Sequence, residues 1–151
     1  MSDVFESEPP TLAEIQAMAQ NAGYFQLLNL RIEDAQNGVS ETRIQVDARL
    51  LHPQQLVHGG VIFTLADTAM AMALMSVLPA HTPVSTIEAK INYLRPARTG
   101  ELVAEATIVH QGNTTAVLEA TVYNVDSGNG MERVPIAKML GTFNIRRARR
   151  V

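Results

Sequence analysis

Residues 52–78, HPQQLVHGGVIFTLADTAMAMALMSVL, constrain the fold more than any other part of the chain. A His58-Gly59-Gly60 step opens a long, nearly all-apolar run in which Asp67 is the single acid. Wound at about 100° per residue, Ile62, Leu65, Ala66, Ala69, Met70, Met72 and Ala73 spread over more than half of the circumference. A helix of that kind is buried nearly all round and needs a sheet wrapped about it, not a flat layer beneath it. Gly60, Thr64, Asp67, Thr68 and the small Ala71 fall instead in one arc, roughly a third of the circle, and form a narrow polar strip on an apolar rod. A membrane span is rejected, because a buried aspartate near the centre of a bilayer is costly.

The flanking sequence supplies the sheet. Residues 1–10 read as a flexible acidic arm. Thr11-Leu12-Ala13-Glu14 is a capping-box pattern that starts a short helix with Leu12, Ile15 and Ala19 on one face, and Gly23 is placed to end it. Residues 24–33 and 39–50 read as strands. The second alternates Ile44, Val46, Ala48 and Leu50 against Arg43, Gln45, Asp47 and Arg49, and Asn37-Gly38 supplies the turn between the two.

Beyond the helix, residues 84–94 place Thr86, Glu88, Lys90 and Asn92 on one face and Ser85, Ile87, Ala89, Ile91 and Tyr93 on the other. Further strands follow at 101–111, 114–125 and 131–145, joined by hairpin turns such as Gly112-Asn113. Residues 147–151 read as a basic tail. The expectation is a single α+β domain, residues 11–146, with one long helix covering the dry face of an antiparallel sheet.

Composition narrows the function. A length of 151 residues suits one domain with a sizeable core, and 46% apolar with 18% charged residues suits a soluble protein whose slight shortage of charge points to contact with another subunit. A net charge of −3 gives no reason to expect nucleic acid. The lack of cysteine excludes disulfides, thiolate metal sites and cysteine nucleophiles, and fits a cytoplasmic location. The acidic opening MSDVFESEPP lacks the basic and apolar regions of a signal peptide. His52, His58, His81 and His110 do not show the paired spacing of a zinc site, and Ser85 and Thr86 lack a nucleophile-elbow context. No phosphate-binding loop or dinucleotide fingerprint is present.

Asp67 has two readings. One is a structural acid paired with a loop or an arginine, as buried acids usually are. The other is a general base or nucleophile tuned by partial burial. The Gly59-Gly60 step either makes a tight turn into the helix or presents backbone N–H groups to a developing oxyanion. Gly60 and Asp67 are seven residues apart, about 10 Å along one axis, too far to act on one carbonyl within a single chain. The productive pair is therefore expected to join Gly59/Gly60 of one subunit with Asp67 of another, which makes a symmetric dimer obligatory.

At these residues the chain resembles the hotdog-fold acyl-CoA thioesterases that act on phenylacetyl-CoA and 4-hydroxybenzoyl-CoA. The matching text is VHGGVIFTLADTAMA (residues 57–71), TIEAKINYLRPARTGE (residues 86–101) and LGTFNI (residues 140–145). The resemblance implies a long helix in a curled antiparallel sheet, an acyl-CoA substrate, no cofactor, a homodimer as the minimal active unit and commonly a homotetramer. It implies that Asp67 is the catalytic carboxylate, Gly59 the oxyanion donor, and Thr86 a hydroxyl that helps place water. His52 stands where the family usually has asparagine or glutamine, and Gln55 where glycine is usual.

His52 either donates to the thioester or pairs with Asp67 as related hotdog hydratases and dehydratases pair histidine with a carboxylate. A third reading is a non-catalytic acyl-CoA-binding protein. His58 is expected to orient its loop, and His58, Thr64 and Thr68 to face the substrate. Arg95, Arg98 and Lys90 read either as solvated charge or as contacts to the phosphates of coenzyme A. Met70, Met72 and Met75 read either as core or as lining of the acyl pocket.

Overall fold

The apolar run folds as one helix, α3 (Gly59–Met75), in a computed structural model that describes residues 7–146. Leu65, Ala66, Ala69, Met70, Ala73 and Leu74 are all fully buried. The helix touches every strand of a six-stranded antiparallel sheet in the order β1-β2-β4-β5-β6-β3, so the sheet curls around it without closing. The strands are β1 (Arg31–Gln36), β2 (Val39–Gln45), β3 (Val84–Tyr93), β4 (Glu101–Gln111), β5 (Thr115–Val125) and β6 (Arg133–Ile145). This is the α+β arrangement expected, with β1 and β3 at the two edges.

Buried polar residues of β2 seat the helix. Ser40 Oγ donates to the Ala69 carbonyl at 2.6 Å, and Thr42 Oγ1 donates to the Leu65 carbonyl at 3.2 Å. Each satisfies its own buried hydroxyl by using the second lone pair of a helical carbonyl. At the far end, Ser76 Oγ accepts from the Gly38 amide at 2.9 Å and donates to the Ala73 carbonyl at 2.7 Å. Asn37 and Gly38 both have positive φ, as the Asn-Gly turn requires. The opposite face of the sheet is charged, with Arg43 paired to Glu41 and Glu101, and Arg133 paired to Glu41 and Glu105.

The chain departs from the sequence reading in three places. First, α1 (Leu12–Gln20) keeps its Thr11–Glu14 capping box but ends at Asn21, whose side chain bonds the Ala17 carbonyl. Gly23 does not end that helix; it opens α2 (Gly23–Leu28), so the first half of the strand expected over 24–33 is helical. Tyr24, Phe25 and Leu28 have strand-like chemistry, but the segment is too short to show a helical period. Its direction is set by Asn29, in the left-handed conformation at φ 50°.

Second, β2 stops at Gln45 and residues Ala48–Leu50 form a 3-10 turn. The Asp47 side chain takes the Arg49 amide at 2.8 Å and so ends the ladder that the alternation would continue.

Third, a β-bulge at Ile87 interrupts the pairing of β3 with β6, between Thr86↔Phe143 and Glu88↔Thr142. It brings Thr86 onto the same, helix-facing side as Ala89 and Tyr93, against the simple alternation. Residues 1–6 of the acidic arm and the basic tail at 147–151 lie outside the described residues. Within the rest of the arm, the Glu8 carbonyl accepts from the Ala80 amide at 3.1 Å.

Candidate active site

The site begins at the N-terminus of α3. His58 is its N-cap and accepts the Gly60 amide on Nδ1 at 2.9 Å, while the His58 carbonyl accepts from the Val61 amide. The Gly59 N–H meets no acceptor among the described residues. Of the two glycine amides expected to face an oxyanion, Gly60 is thus committed to the cap and Gly59 is the one left open. A side chain at position 59 would crowd Tyr93, whose ring would have to give by a few tenths of an ångström. Tyr93 Oη donates to the Gly59 carbonyl at 2.9 Å, and a Cβ there would lie 3.0 Å from Tyr93 Oη and 3.1 Å from Cζ.

Asp67 lies farther along the same helix, half-buried. Thr86 Oγ1 donates to its Oδ1 at 2.8 Å. No lysine, arginine or histidine among the described residues forms an ion pair with it, so its partner there is a hydroxyl and not a cation. Burial pushes the Asp67 carboxyl above the ordinary aspartate value, and the Thr86 hydrogen bond offsets part of that rise. A carboxylate raised without a compensating cation retains basicity, which a structural ion pair would suppress. Gly59 and Asp67 are eight residues apart within continuous helix, roughly 12 Å along its axis.

The strip between them is open where the sequence put it. Gly60 is exposed and Thr64, Asp67 and Ala71 are half-buried, whereas Thr68 is buried. Thr64 Oγ1 lies 2.9 Å from the Tyr24 hydroxyl of α2. Met70 and Met72 belong to the core, and only Met75 reaches the half-buried zone.

The loop before α3 is closed by a Leu51↔Val57 bridge. Within it His52 Nδ1 accepts the Gln54 amide at 3.1 Å, and its ring stands edge-on to His58 with centroids 6.5 Å apart. A backbone N–H can only donate, so the neutral rings of His52 and His58 both carry their proton on Nε2. Each is thereby a hydrogen-bond donor on its outward nitrogen. Gln55 has φ 60°, the left-handed region that explains why glycine suits this position.

Arg95 Nη1 donates to the Pro135 carbonyl at 2.8 Å and Arg98 Nη1 to the Gln55 carbonyl at 3.4 Å. Neither has a carboxylate partner among the described residues, in contrast to Arg31, Arg43, Arg49 and Arg133. No group of three or more His, Asp or Glu arranged to hold a metal occurs among the described residues. Tyr93 and Tyr24 escaped the sequence reading. Simple alternation places Tyr93 on the face opposite Thr86, because a bulge leaves no mark in composition, and places Tyr24 in a strand.

Comparison with known proteins gives this geometry its context. Residues 54–131 match the family profile of the thioesterase superfamily. A candidate esterase of Halobacterium salinarum is 35% identical over 138 residues, covering 88% of this chain and 91% of that protein. Acyl-coenzyme A thioesterase PaaI of Escherichia coli is 36% identical over 110 residues, covering 72% of this chain and 76% of that protein. The solved structure of E. coli PaaI, from the phenylacetic acid degradation operon, superposes with a TM-score of 0.75 at 27% identity, covering 88% of this chain and 91% of that one. A thioesterase family protein of Silicibacter pomeroyi superposes with a TM-score of 0.80 at 27% identity, covering 87% and 94%. The Gly59 amide and the half-buried Asp67 carboxylate therefore sit in a chain that belongs to the thioesterase superfamily, as a hotdog-fold acyl-CoA thioesterase of the PaaI type.

Proposed function

We propose that this thioester hydrolase acts in the cytoplasm on aromatic or medium-chain acyl-CoA, releasing the free acid and coenzyme A, at a site shared between two subunits. The observation that carries the reading is Asp67: half-buried, held on one oxygen by Thr86, and without a cation among the described residues, so that Oδ2 is left for the reacting group. As base, Asp67 takes a proton from water as the water oxygen bonds to the thioester carbon, and that proton passes to the sulfur as the C–S bond breaks. As nucleophile, its own oxygen bonds to the carbon first and expels the thiol of coenzyme A, and water then opens the resulting anhydride to free acid and restores the carboxylate. The open Gly59 N–H stabilises the carbonyl oxygen as it becomes an oxyanion. His52, donating from Nε2, helps hold the thioester or water, the task that asparagine or glutamine performs in the family. Its Nδ1 bond to Gln54 leaves it poorly suited to be the base that a hydratase mechanism asks of it.

Distance supports the shared site, because roughly 12 Å separates donor and carboxylate within one chain. So does the edge strand β3. It pairs with β6 on one side only, and Ile87, Tyr93 and Leu94 nearby are at least half exposed. A second copy meeting that edge would extend the sheet and cover those side chains. The homodimer is the minimal unit in this reading and a homotetramer the expected assembly.

An aromatic or medium-length acyl group is supported by the apolar surroundings of the strip, Tyr24, Phe63, Ala71 and Met75, and by the similarity to E. coli PaaI. Arg95 and Arg98, without carboxylate partners, are assigned to the phosphates of coenzyme A.

Free-thiol release from benzoyl-, phenylacetyl-, octanoyl- and palmitoyl-CoA, with Asp67→Asn alongside, tests the reaction. Loss of the carboxylate lowers kcat by about a thousandfold, several kcal/mol of barrier. Equal, slow release by both proteins defeats the assignment. Mixing Asp67→Asn with Gly59→Pro subunits, the latter lacking the donor N–H at a first helical position that admits proline, tests the sharing: two impaired proteins regain activity only if one mixed site receives both intact halves.

A further inference from the structure

Strand β3 holds both ends of the reactive strip. Thr86 binds Asp67 at one end, and seven residues on, past the bulge at Ile87, Tyr93 reaches Gly59 at the other. The second contact is the closer fitted. The Tyr93 hydroxyl donates to the Gly59 carbonyl at 2.9 Å, and its ring leaves so little room over the Gly59 α-carbon that a Cβ would sit 3.0 Å from Oη, 3.1 Å from Cζ and 3.4 Å from Cε1.

Glycine is the residue most free to rotate about φ and ψ. At position 59 that freedom is a liability, because the one open amide at the start of α3 belongs to this residue. On one side the peptide unit that carries this amide is held through the His58 carbonyl, which accepts from the Val61 amide, and through the His58 amide, which is bound to the Leu50 carbonyl. On the other side only the helical hydrogen bond and the Tyr93 hydroxyl restrain the Gly59 carbonyl.

We propose that Tyr93 is a positioning residue for the oxyanion donor: it locks Gly59 so that the amide is aimed before the negative charge develops. The inference rests on the reading of Gly59 as that donor. Preorganisation of this kind lowers the barrier because no reorientation is needed as charge forms on the oxygen. A donor free to rock polarises the thioester carbonyl less and stabilises the oxyanion less still, while the rest of acyl-CoA continues to hold the ground state, so the effect falls on kcat and spares KM. Phenylalanine at 93 keeps the ring against Gly59 and removes only the hydroxyl bond.

The test uses carbonyl-13C benzoyl-CoA bound to Asp67→Asn, with the thioester C=O stretch read by difference infrared spectroscopy, and the same measurement on Asp67→Asn/Tyr93→Phe. The expected result is a carbonyl band shifted to lower frequency in the single variant, and a band returned toward its position in water, and broadened, in the double variant. In parallel, Tyr93→Phe in the otherwise native enzyme loses about tenfold in kcat, the size of one hydrogen bond's contribution, with KM within twofold. A melting temperature equal to that of the native protein shows that the fold is intact. Identical shifted bands with and without the Tyr93 hydroxyl overturn the inference and leave Gly59 as donor. No shift in Asp67→Asn itself overturns the donor reading, and the role of Tyr93 with it.

Discussion

The Thr86 hydroxyl donates to Asp67 Oδ1 at 2.8 Å, from a strand whose bulge at Ile87 turns Thr86 toward the helix. Burial raises the Asp67 pKa and this bond restrains the rise. Thr86→Val removes the donor and keeps the shape, so the Asp67 pKa climbs further. The acid limb of kcat/KM then moves to higher pH, and the variant's deficit shrinks as pH increases. At its optimum kcat falls roughly tenfold, the lower end for a hydrogen bond to a charged group. A pH–rate profile of the two proteins measures this, and coincident limbs would dissociate Thr86 from Asp67.

Stability carries the opposite sign. A carboxyl whose pKa is higher folded than unfolded contributes most below its unfolded value, and that contribution is lost as pH rises through the folded value. Asp67→Asn does not titrate. Its melting temperature therefore matches that of the native protein in acid and exceeds it at neutral pH, as calorimetry at the two pH values would record.

His52 accepts the Gln54 amide on Nδ1 and so offers a proton on Nε2. A donor can be replaced by another donor. His52→Gln retains thiol release within about threefold, while His52→Ala loses about tenfold, the order of one hydrogen bond. If His52 were the base of a hydration reaction, both variants would fail alike, and enoyl-CoA hydration would fall with them.

Arg98 reaches the Gln55 carbonyl beside the N-terminus of α3 and lacks a carboxylate partner among the described residues. An exposed charge contact is worth about 1 kcal/mol, so Arg98→Ala raises KM for an acyl-CoA roughly fivefold. The matching N-acetylcysteamine thioester has no phosphates, and its KM should not change. An equal rise for both substrates would assign Arg98 to the loop, not to coenzyme A.

Gln55 sits at φ 60°, where a side chain is strained. The hydrogen bonds at this residue are made by its backbone, to the His52 carbonyl and from Arg98, and both survive substitution. Gln55→Gly relieves the strain at some entropic cost in the unfolded chain. A net gain of about 0.5 kcal/mol raises the melting temperature by roughly 1–2 °C.

By itself the sequence determined the rod. The apolar spread around residues 59–75 demanded an enclosing sheet, and the strip of Gly60, Thr64 and Asp67 within it marked the face proposed here as reactive, because helical periodicity is local and survives in the order of residues. The distance between Gly59 and Asp67 was legible for the same reason.

Only the tertiary structure decided which groups touch. It committed the Gly60 amide to His58 and left Gly59 open, buried Thr68, turned residues 23–28 into a helix that brings Tyr24 to Thr64, and swung Thr86 and Tyr93 onto one side of β3. Apart from the burial of Thr68 by the surrounding core, each outcome depends on a cap, a left-handed residue or a bulge. A shift of one position reverses the face a residue presents, and alternation read along a single strand has no means of detecting it.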